Sequence, residues 1–268
     1  MRIVLWIGKD SNQKALANKI NNRFPIDGIV IEKKKFKRKI TFGLLFEKFI
    51  EKIFLASIAH AWKFMLNRYE NEYPQYPDTK ILEVENINSQ SVYEFTSQLK
   101  PDLILVSGTR LIKENLLSIK PTIGILNLHT GLSPYIKGGP NCTNWCIATE
   151  QFHLIGNTVM WIDEGIDSGN IILSDFTSFD GNENLDAIHV NVMEHAHSIY
   201  LKALAQVRVG NYTKVDQKGI AEGKVYYNKY WKLKQKIALV KNLKKFRRSI
   251  KSNQIDQLKK TIKIVGES

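Results

Sequence analysis

The sequence is poor in cysteine and lacks a long uncharged apolar run. Its 268 residues include only Cys142 and Cys146, which excludes a disulfide framework and a zinc site with four cysteine ligands. The most apolar stretch, residues 42–66, contains five charged side chains, too many for a helix that spans a bilayer. No apolar segment with a cleavage site follows Met1. We therefore expect no secretory signal and a cytoplasmic protein.

Acidic residues are outnumbered, but the basic excess is confined to two segments. The chain has 39 Lys and Arg residues against 26 Asp and Glu residues, a formal charge of +13. Residues 224–268 carry a net +12 and residues 33–52 a net +6, so the remainder carries a net −5. Histone-like proteins and proteins that coat nucleic acids need basic charge over their whole body. The charge distribution argues against both classes.

Short apolar runs alternate with longer helical patterns along the first 210 residues. This alternation is typical of an α/β fold with a mostly parallel central sheet flanked by helices. Strands are predicted at residues 3–7, 27–31, 80–84, 103–107, 123–128, 158–162 and 171–173. Helices are predicted at residues 12–24, 89–99, 113–119, 142–150 and 185–209. We expect residues 1–210 to form the main domain and residues 211–268 a basic helical C-terminal appendage.

Two segments with basic, amphipathic helical patterns do not fit the alternation. Residues 42–69 form a predicted helical insertion, and residues 229–250 form a predicted tail helix. Such helices can lie on a membrane surface, but apolar stripes at helical spacing are mostly buried against other protein. We expect both to pack on the body or on a second subunit. A homodimer is therefore predicted, with peripheral membrane contact as the alternative.

An amide and an imidazole lie close together at the end of a predicted strand. Asn127 and His129 are two residues apart, so both side chains point to the same side of the strand. Together they can stabilise an oxyanion, and a nearby carboxylate can set the charge of the imidazole. Asp167, in a turn between two later strands, is the candidate carboxylate. From the residues alone, a hydrogen-bonded structural histidine remains the alternative.

Two motifs around these residues resemble those of a known family. The sequence Asn-Leu-His-Thr-Gly-Leu-Ser-Pro at 127–134, followed by Lys137 and Gly138, resembles the signature of the folate-dependent formyltransferases. This family includes glycinamide ribonucleotide, methionyl-tRNA and nucleotide-sugar formyltransferases. Gly-Ile-Asp-Ser-Gly at 165–169 is similar to its second motif. The resemblance implies a Rossmann-like formyltransferase domain and a catalytic set of Asn127, His129 and Asp167.

A third similarity concerns the co-substrate. The loop at 108–112 resembles the loop of the glycinamide ribonucleotide branch whose backbone binds the pterin ring. The resemblance implies 10-formyltetrahydrofolate as co-substrate and requires no metal. Three histidines at 189, 195 and 197 share no common ligand face, so they do not change that expectation. The residues expected around the folate are Thr109, Arg110, Leu111, Ile112, Ile162, Asp163, Gly165 and Ile166.

Substrate contacts are expected from two further loops. Residues 8–12 follow the first strand and open a helix, where backbone N–H groups can hold an anion. They also resemble the phosphate loop of the glycinamide ribonucleotide branch, although Asp10 replaces its second glycine. A plain strand-to-helix turn capped by Ser11 or Asn12 is equally consistent. The residues expected to bind substrate are Gly8, Lys9, Ser11, Asn12, Lys137 and Gly138.

Three acceptors of the formyl group compete. The methionyl-tRNA branch carries a C-terminal barrel domain, for which the residues after Val209 leave no room. The purine-pathway branch lacks both the insertion and the tail. We therefore expect a nucleotide-linked amino sugar, as used for the O-antigen of lipopolysaccharide, and no nucleic-acid partner. A ribonucleotide amine and methionyl-tRNA stay open, as does a non-catalytic binding module on the same fold.

Overall fold

A seven-stranded sheet forms the centre of the protein. The computed structural model describes residues 1–34, 51, 53, 55–139, 141–163, 165 and 167–266. The sheet has the order β3-β2-β1-β4-β5-β7-β8. Its strands are β1 (Ile3–Gly8), β2 (Gly28–Glu32), β3 (Lys80–Val84), β4 (Leu103–Ser107), β5 (Gly124–His129), β7 (Gly156–Trp161) and β8 (Ile171–Phe176). Two short strands, β6 (Ile136–Gly138) and β9 (Lys224–Tyr226), pair in parallel as a separate ribbon.

The strand directions change at β7. Strands β1 to β5 are parallel to their neighbours, whereas β7 runs antiparallel to β5, and β8 antiparallel to β7. The connection from β7 to β8 therefore starts beside the beginning of β5, where the Ile162 N–H donates to the Ile125 oxygen at 2.9 Å. The predicted mostly parallel sheet is confirmed, with this antiparallel addition at one side.

Helices cover both faces of the sheet. They are α1 (Ser11–Asn21), α2 (Ala56–Glu72), α3 (Gln90–Leu99), α4 (Glu114–Leu117), α5 (Cys142–Ala148), α6 (Leu185–Arg208), α7 (Leu233–Lys251) and α8 (Gln254–Lys259). The side chains of β1 alternate between the two faces, as a strand requires. Ile3, Leu5 and Ile7 join the core under α1 and α6, while Val4 and Trp6 join the core under α3 and α4.

The helices differ from the sequence predictions mainly at their ends. The predicted helix at 142–150 stops at Ala148, because Glu150 adopts a φ of 60° that a right-handed helix does not allow. The tail helix begins at Leu233 rather than at 229, since Asn228–Tyr230 form a 3₁₀ turn. Of the predicted insertion, α2 starts at Ala56 and continues to Glu72; residues 42–50 lie outside the described part of the chain.

The tail helix packs its apolar face on the body. Leu239, Leu243 and Phe246 of α7 are buried in the same cluster as residues of α5. The Phe246 ring makes edge contacts with Phe152 at 5.5 Å and Phe179 at 5.3 Å between centroids. The predicted burial of the tail's apolar stripe is therefore confirmed, while the division at residue 210 stays a prediction. Within the described residues, no helix has the length and apolarity to cross a membrane.

The buried ring of Phe246 predicts how much the tail contributes to stability. Phe246 is fully buried, so Phe246→Ala removes its packing and leaves a cavity. We expect the free energy of unfolding in urea to fall by about 3–5 kcal/mol. The exposed neighbour Lys244 supplies the control, and Lys244→Ala should change it by no more than about 0.5 kcal/mol. Equal, small effects of both variants would contradict this packing.

Candidate active site

A cleft opens where the ends of β1, β4 and β5 meet the connection from β7 to β8. Its volume is 840 Å³. Gly8, Gly108 and His129 mark the three strand ends that it touches, and Asp167 enters it from the β7–β8 connection. Open α/β sheets place their ligand sites at this kind of edge, beyond the carboxyl ends of parallel strands. The cleft therefore lies where the sequence predicted the site.

His129 is the last residue of β5 and is 7% exposed. Its Nε2 lies 3.1 Å from the Ile136 oxygen and 3.7 Å from the Cys142 sulfur. Its Nδ1 lies 3.5 Å from Oδ2 of Asp167. Burial alone lowers the pKa of His129, but Asp167, Cys142 and the Ile136 carbonyl raise it to about 10. The imidazole therefore carries a proton on both nitrogens at neutral pH, and Nε2–H donates to Ile136.

Asp167 supplies the negative charge that holds this proton. The Cys142 thiol stays neutral, because burial raises the pKa of Cys142. Oδ2 of Asp167 also accepts a hydrogen bond from the Gly138 N–H at 2.8 Å. The backbone of Asp167 is left-handed, with φ of 47°, a conformation that costs a non-glycine residue about 1–2 kcal/mol. The Gly138 N–H therefore helps to hold the carboxylate in place.

Asn127 completes the predicted set. It is half-buried and lines the cleft together with His129, as the alternation along β5 requires. Gly131, in the loop after β5, leaves space for the imidazole, since a Cβ at this position would overlap Nε2 of His129. The structure thus brings Asn127, His129 and Asp167 to one wall of the cleft.

The loop after β4 is fixed by a buried carboxylate. Glu32 is fully buried and accepts hydrogen bonds from the Arg110 N–H at 2.8 Å and from its guanidinium at 3.1 Å. The guanidinium also donates to the Glu85 oxygen at 2.8 Å. Arg110 therefore orients its own loop. The predicted folate residues that line the cleft are Thr109, Arg110, Leu111, Ile112, Ile162, Asp163 and Gly165, and Ile166 lies outside the described residues.

Only some of the predicted substrate residues line the cleft in the structure. Gly8, Asn12 and Gly138 line the cleft. Lys9 is exposed and Ser11 donates its hydroxyl to the Leu66 oxygen at 2.6 Å, so neither belongs to the cleft wall. Lys137 also lies outside that wall. Their roles in substrate binding stay predictions.

Aromatic side chains that the sequence pattern did not assign to the site also line the cleft. Trp62 of α2 and two residues of the tail, Tyr227 and Trp231, line the cleft. His189 of α6 lies edge-on to Trp62 and is neutral, because burial lowers the pKa of His189 to about 4. The run of four aromatic residues between 226 and 231 was the available signal. Within the described residues, no three His, Cys, Asp or Glu side chains are grouped as metal ligands.

Comparison with known families now identifies the chain. A family model described as formyl transferase matches residues 58–204, more than half of the chain. The chain belongs to the formyl transferase family. That match covers α2 to α6 with the strands between them, including Asn127, His129 and Asp167, and it stops before the tail.

Individual relatives fall into three groups of formyltransferases. A methionyl-tRNA formyltransferase from Methylacidiphilum infernorum is 29% identical over 137 residues, 51% of this chain and 42% of the relative. The chain thus matches less than half the length of this curated relative. An N-formyltransferase from Helicobacter canadensis, solved with folinic acid and dTDP-3-aminofucose, has a TM-score of 0.52 and 14% identity, covering 91% of this chain and 81% of that one. Phosphoribosylglycinamide formyltransferase from Bacillus halodurans has a TM-score of 0.51 and 15% identity, covering 77% and 95%.

These likenesses establish the Rossmann-like formyltransferase fold. The solved structures are too distant in sequence to carry more than the fold, and the curated relative is matched over a part of its length. The geometry of the cleft is therefore the basis for the activity of the whole chain and for its acceptor.

The pairing of His129 with Asp167 predicts a titration. In Asp167→Asn the side chain keeps its shape but loses its charge, so we expect the pKa of His129 to fall well below the wild-type value of about 10. Histidine NMR signals followed against pH measure it. The exposed Asp78, just before the opposite edge strand β3, supplies the control Asp78→Asn, which should leave that pKa unchanged. A His129 titration near pH 6.5 in the wild type would refute the pairing.

Proposed function

We propose that the protein transfers a formyl group from 10-formyltetrahydrofolate to a primary amine of a nucleotide-linked amino sugar. The observation that carries the proposal is the juxtaposition of His129 with Asp167, 3.5 Å apart, beside Asn127 in the cleft. A buried imidazolium and a carboxamide placed together suit a reaction in which negative charge develops on an oxygen. Acyl transfer to an amine is such a reaction.

The acceptor amine attacks the formyl carbon, and the carbonyl oxygen becomes an oxyanion. The Asn127 amide and the Nδ1–H of His129 donate to this oxygen; the 3.5 Å gap to Asp167 exceeds an ordinary hydrogen bond and leaves that proton available. The bond between the formyl carbon and the folate nitrogen then breaks. As it breaks, the oxyanion returns to the carbonyl of the new formamide. Asp167 takes up the proton that the amine loses, directly or through water, and passes it to the departing folate nitrogen.

The folate site is assigned to the loop at 109–112 and to Ile162 on the facing connection. Backbone donors and acceptors beside apolar side chains suit a flat heteroaromatic ring with amide-like edges. The Glu32–Arg110 ion pair ties this loop to the end of β2. The presence of folinic acid in the related Helicobacter structure supports the same class of co-substrate.

Two observations favour a nucleotide-linked sugar as acceptor. The aromatic wall of Trp62, Tyr227 and Trp231 offers ring faces on which a nucleobase can stack. In addition, the structure solved with a nucleotide-linked amino sugar resembles 91% of this chain, against 77% for the purine enzyme. The use of the product in surface polysaccharide belongs to the same proposal.

Methionyl-tRNA is the second candidate, because a relative by sequence carries that activity in its name. A panel decides between the candidates: the purified protein is incubated with 10-formyltetrahydrofolate and with dTDP-linked amino sugars, glycinamide ribonucleotide or methionyl-tRNA. We expect formylation of a sugar nucleotide, measured by mass spectrometry. Formylation of the tRNA or the ribonucleotide, and of no sugar, would overturn the choice of acceptor.

Binding of folate separates an enzyme from a non-catalytic module on the same fold. At a concentration one hundred times its Kd, 5-formyltetrahydrofolate stabilises the folded state by about 2.7 kcal/mol. We therefore expect a rise in the melting temperature measured by differential scanning fluorimetry. The same concentration of folic acid, which lacks the formyl group, gives the comparison. If neither ligand changes the melting temperature, the result would support the non-catalytic module instead.

Asn127→Ala tests the assignment of the oxyanion donor. Loss of one such donor costs about 2.7–4 kcal/mol of transition-state stabilisation, which lowers kcat about a hundred- to a thousandfold. Folate-induced stabilisation should persist, because the loop at 109–112 is untouched. Asn211→Ala, at an exposed position outside the cleft lining, should leave kcat unchanged. Wild-type turnover in Asn127→Ala would exclude this mechanism.

A further inference from the structure

One buried tail residue contacts the loop that carries Asp167. Gln217 opens a 3₁₀ turn in the tail, beyond the family match, and is 3% exposed. Its side-chain amide donates to the Asp167 oxygen at 2.9 Å and to the Gly169 oxygen at 2.7 Å. The same amide also lies 3.6 Å from the Met160 sulfur, and its two shorter bonds hold the backbone carbonyls of Asp167 and Gly169. The bonds reach the backbone of Asp167 and leave its carboxylate free to face His129.

This loop needs an anchor because of its path. It leaves β7 beside the beginning of β5, at Ile125, yet it has to deliver Asp167 to the end of β5 at His129. Four residues of strand separate these points, about 13 Å. The left-handed backbone of Asp167 adds a conformation that persists only where surrounding contacts hold it. The two bonds from Gln217 are such contacts.

The segment around Gln217 is itself fixed to the sheet. Val215 and Ile171 exchange two backbone hydrogen bonds, at 2.9 and 3.0 Å, which adds the tail to the edge of β8. The Thr213 hydroxyl donates to the Ile172 oxygen at 3.2 Å. The backbone near Gln217 is thus held by the sheet, independently of the loop that the Gln217 side chain contacts.

The same part of the tail supports the other partner of the pair. β9 is parallel to β6, and β6 supplies the Ile136 oxygen that faces His129 and the Gly138 N–H that donates to Asp167. Gly138 has a φ of 82°, and a Cβ there would overlap the Tyr226 oxygen, so β9 lies tightly against β6. We call residues 213–226 the tail clamp, since they contact both loops that hold the ion pair.

We propose that Gln217 is a positioning residue that fixes Asp167 against His129, and that the tail clamp is thereby part of the active site. The unpaired oxygen of Gln217 supports this reading: within the described residues, its buried Oε1 has no hydrogen-bond partner. The effect on turnover rests on the proposed function, whereas the placement of Asp167 does not.

The test replaces the amide by an apolar side chain of similar length. Gln217→Met removes both donors, and Asp167 is expected to withdraw from His129. Among the described residues, the titratable groups that face His129 are Asp167 and Cys142, and Cys142 on α5 is not contacted by Gln217. We therefore expect histidine NMR to give a lower pKa for His129 than in the wild type. We expect kcat to fall about ten- to a hundredfold, with KM for folate within about threefold.

Asn242→Leu is the matched control, because it also removes a tail side-chain amide that donates to two backbone oxygens, those of Ile147 and Ala148, which lie outside the tail clamp and the cleft lining. It should leave both the His129 titration and kcat at wild-type values. A Gln217→Met protein that keeps the wild-type His129 titration would overturn the proposal, even if it melts at a lower temperature. Since that titration needs no substrate, it stands apart from any failure to find formyl transfer.

A second variant covers the case in which Gln217→Met does not fold. Gln217→Glu keeps the length, and a buried carboxyl between two carbonyls is protonated and donates one bond instead of two. We expect a His129 pKa and a kcat between those of the wild type and of a donor-free side chain. A Gln217→Glu protein indistinguishable from the wild type in both measurements would contradict the role of the second bond.

Discussion

The attraction between a buried imidazolium and a carboxylate is the constraint on which the rest of this cleft depends. Burial disfavours the charge on His129, so the protonated ring persists only while Asp167 stays within a few ångströms. Folding raises the pKa of His129 above its unfolded value of about 6.5, and by linkage this shift stabilises the folded protein. The whole contribution is present below about pH 6.5. The contribution is lost as the pH rises through the folded value of about 10.

Most of the sheet and the grouping of Asn127 with His129 could be predicted from the sequence, for a physical reason. Buried parallel strands such as Leu103–Ser107 are continuous apolar runs, and their ends are marked by polar residues. Asn127 and His129 are two residues apart in one strand, so their common side follows from alternation alone. Their pairing with Asp167 was inferred from the resemblance of motifs, because no local sequence pattern indicates which turn lies beside the end of β5.

The tail was the part that composition described least well. Its 14 basic residues between 224 and 268 suggested an appendage defined by charge. The structure instead uses uncharged side chains of the tail: Phe246 packs on the body, Trp231 and Tyr227 line the cleft, and Gln217 contacts the loop of Asp167. Such contacts join positions tens of residues apart, and helical or strand periodicity carries no information about them.

The edge of β8 has a consequence for the order in which the protein matures. Val215 and Val265 both hydrogen-bond to β8, so this edge of the sheet is covered by residues that follow it in the chain. A ribosome completes β5 and the loop of Asp167 well before it adds Gln217 and β9. Until then β8 is an open edge strand, which invites pairing with other chains. Both the burial of that edge and the completion of the contacts around Asp167 therefore come late in biosynthesis.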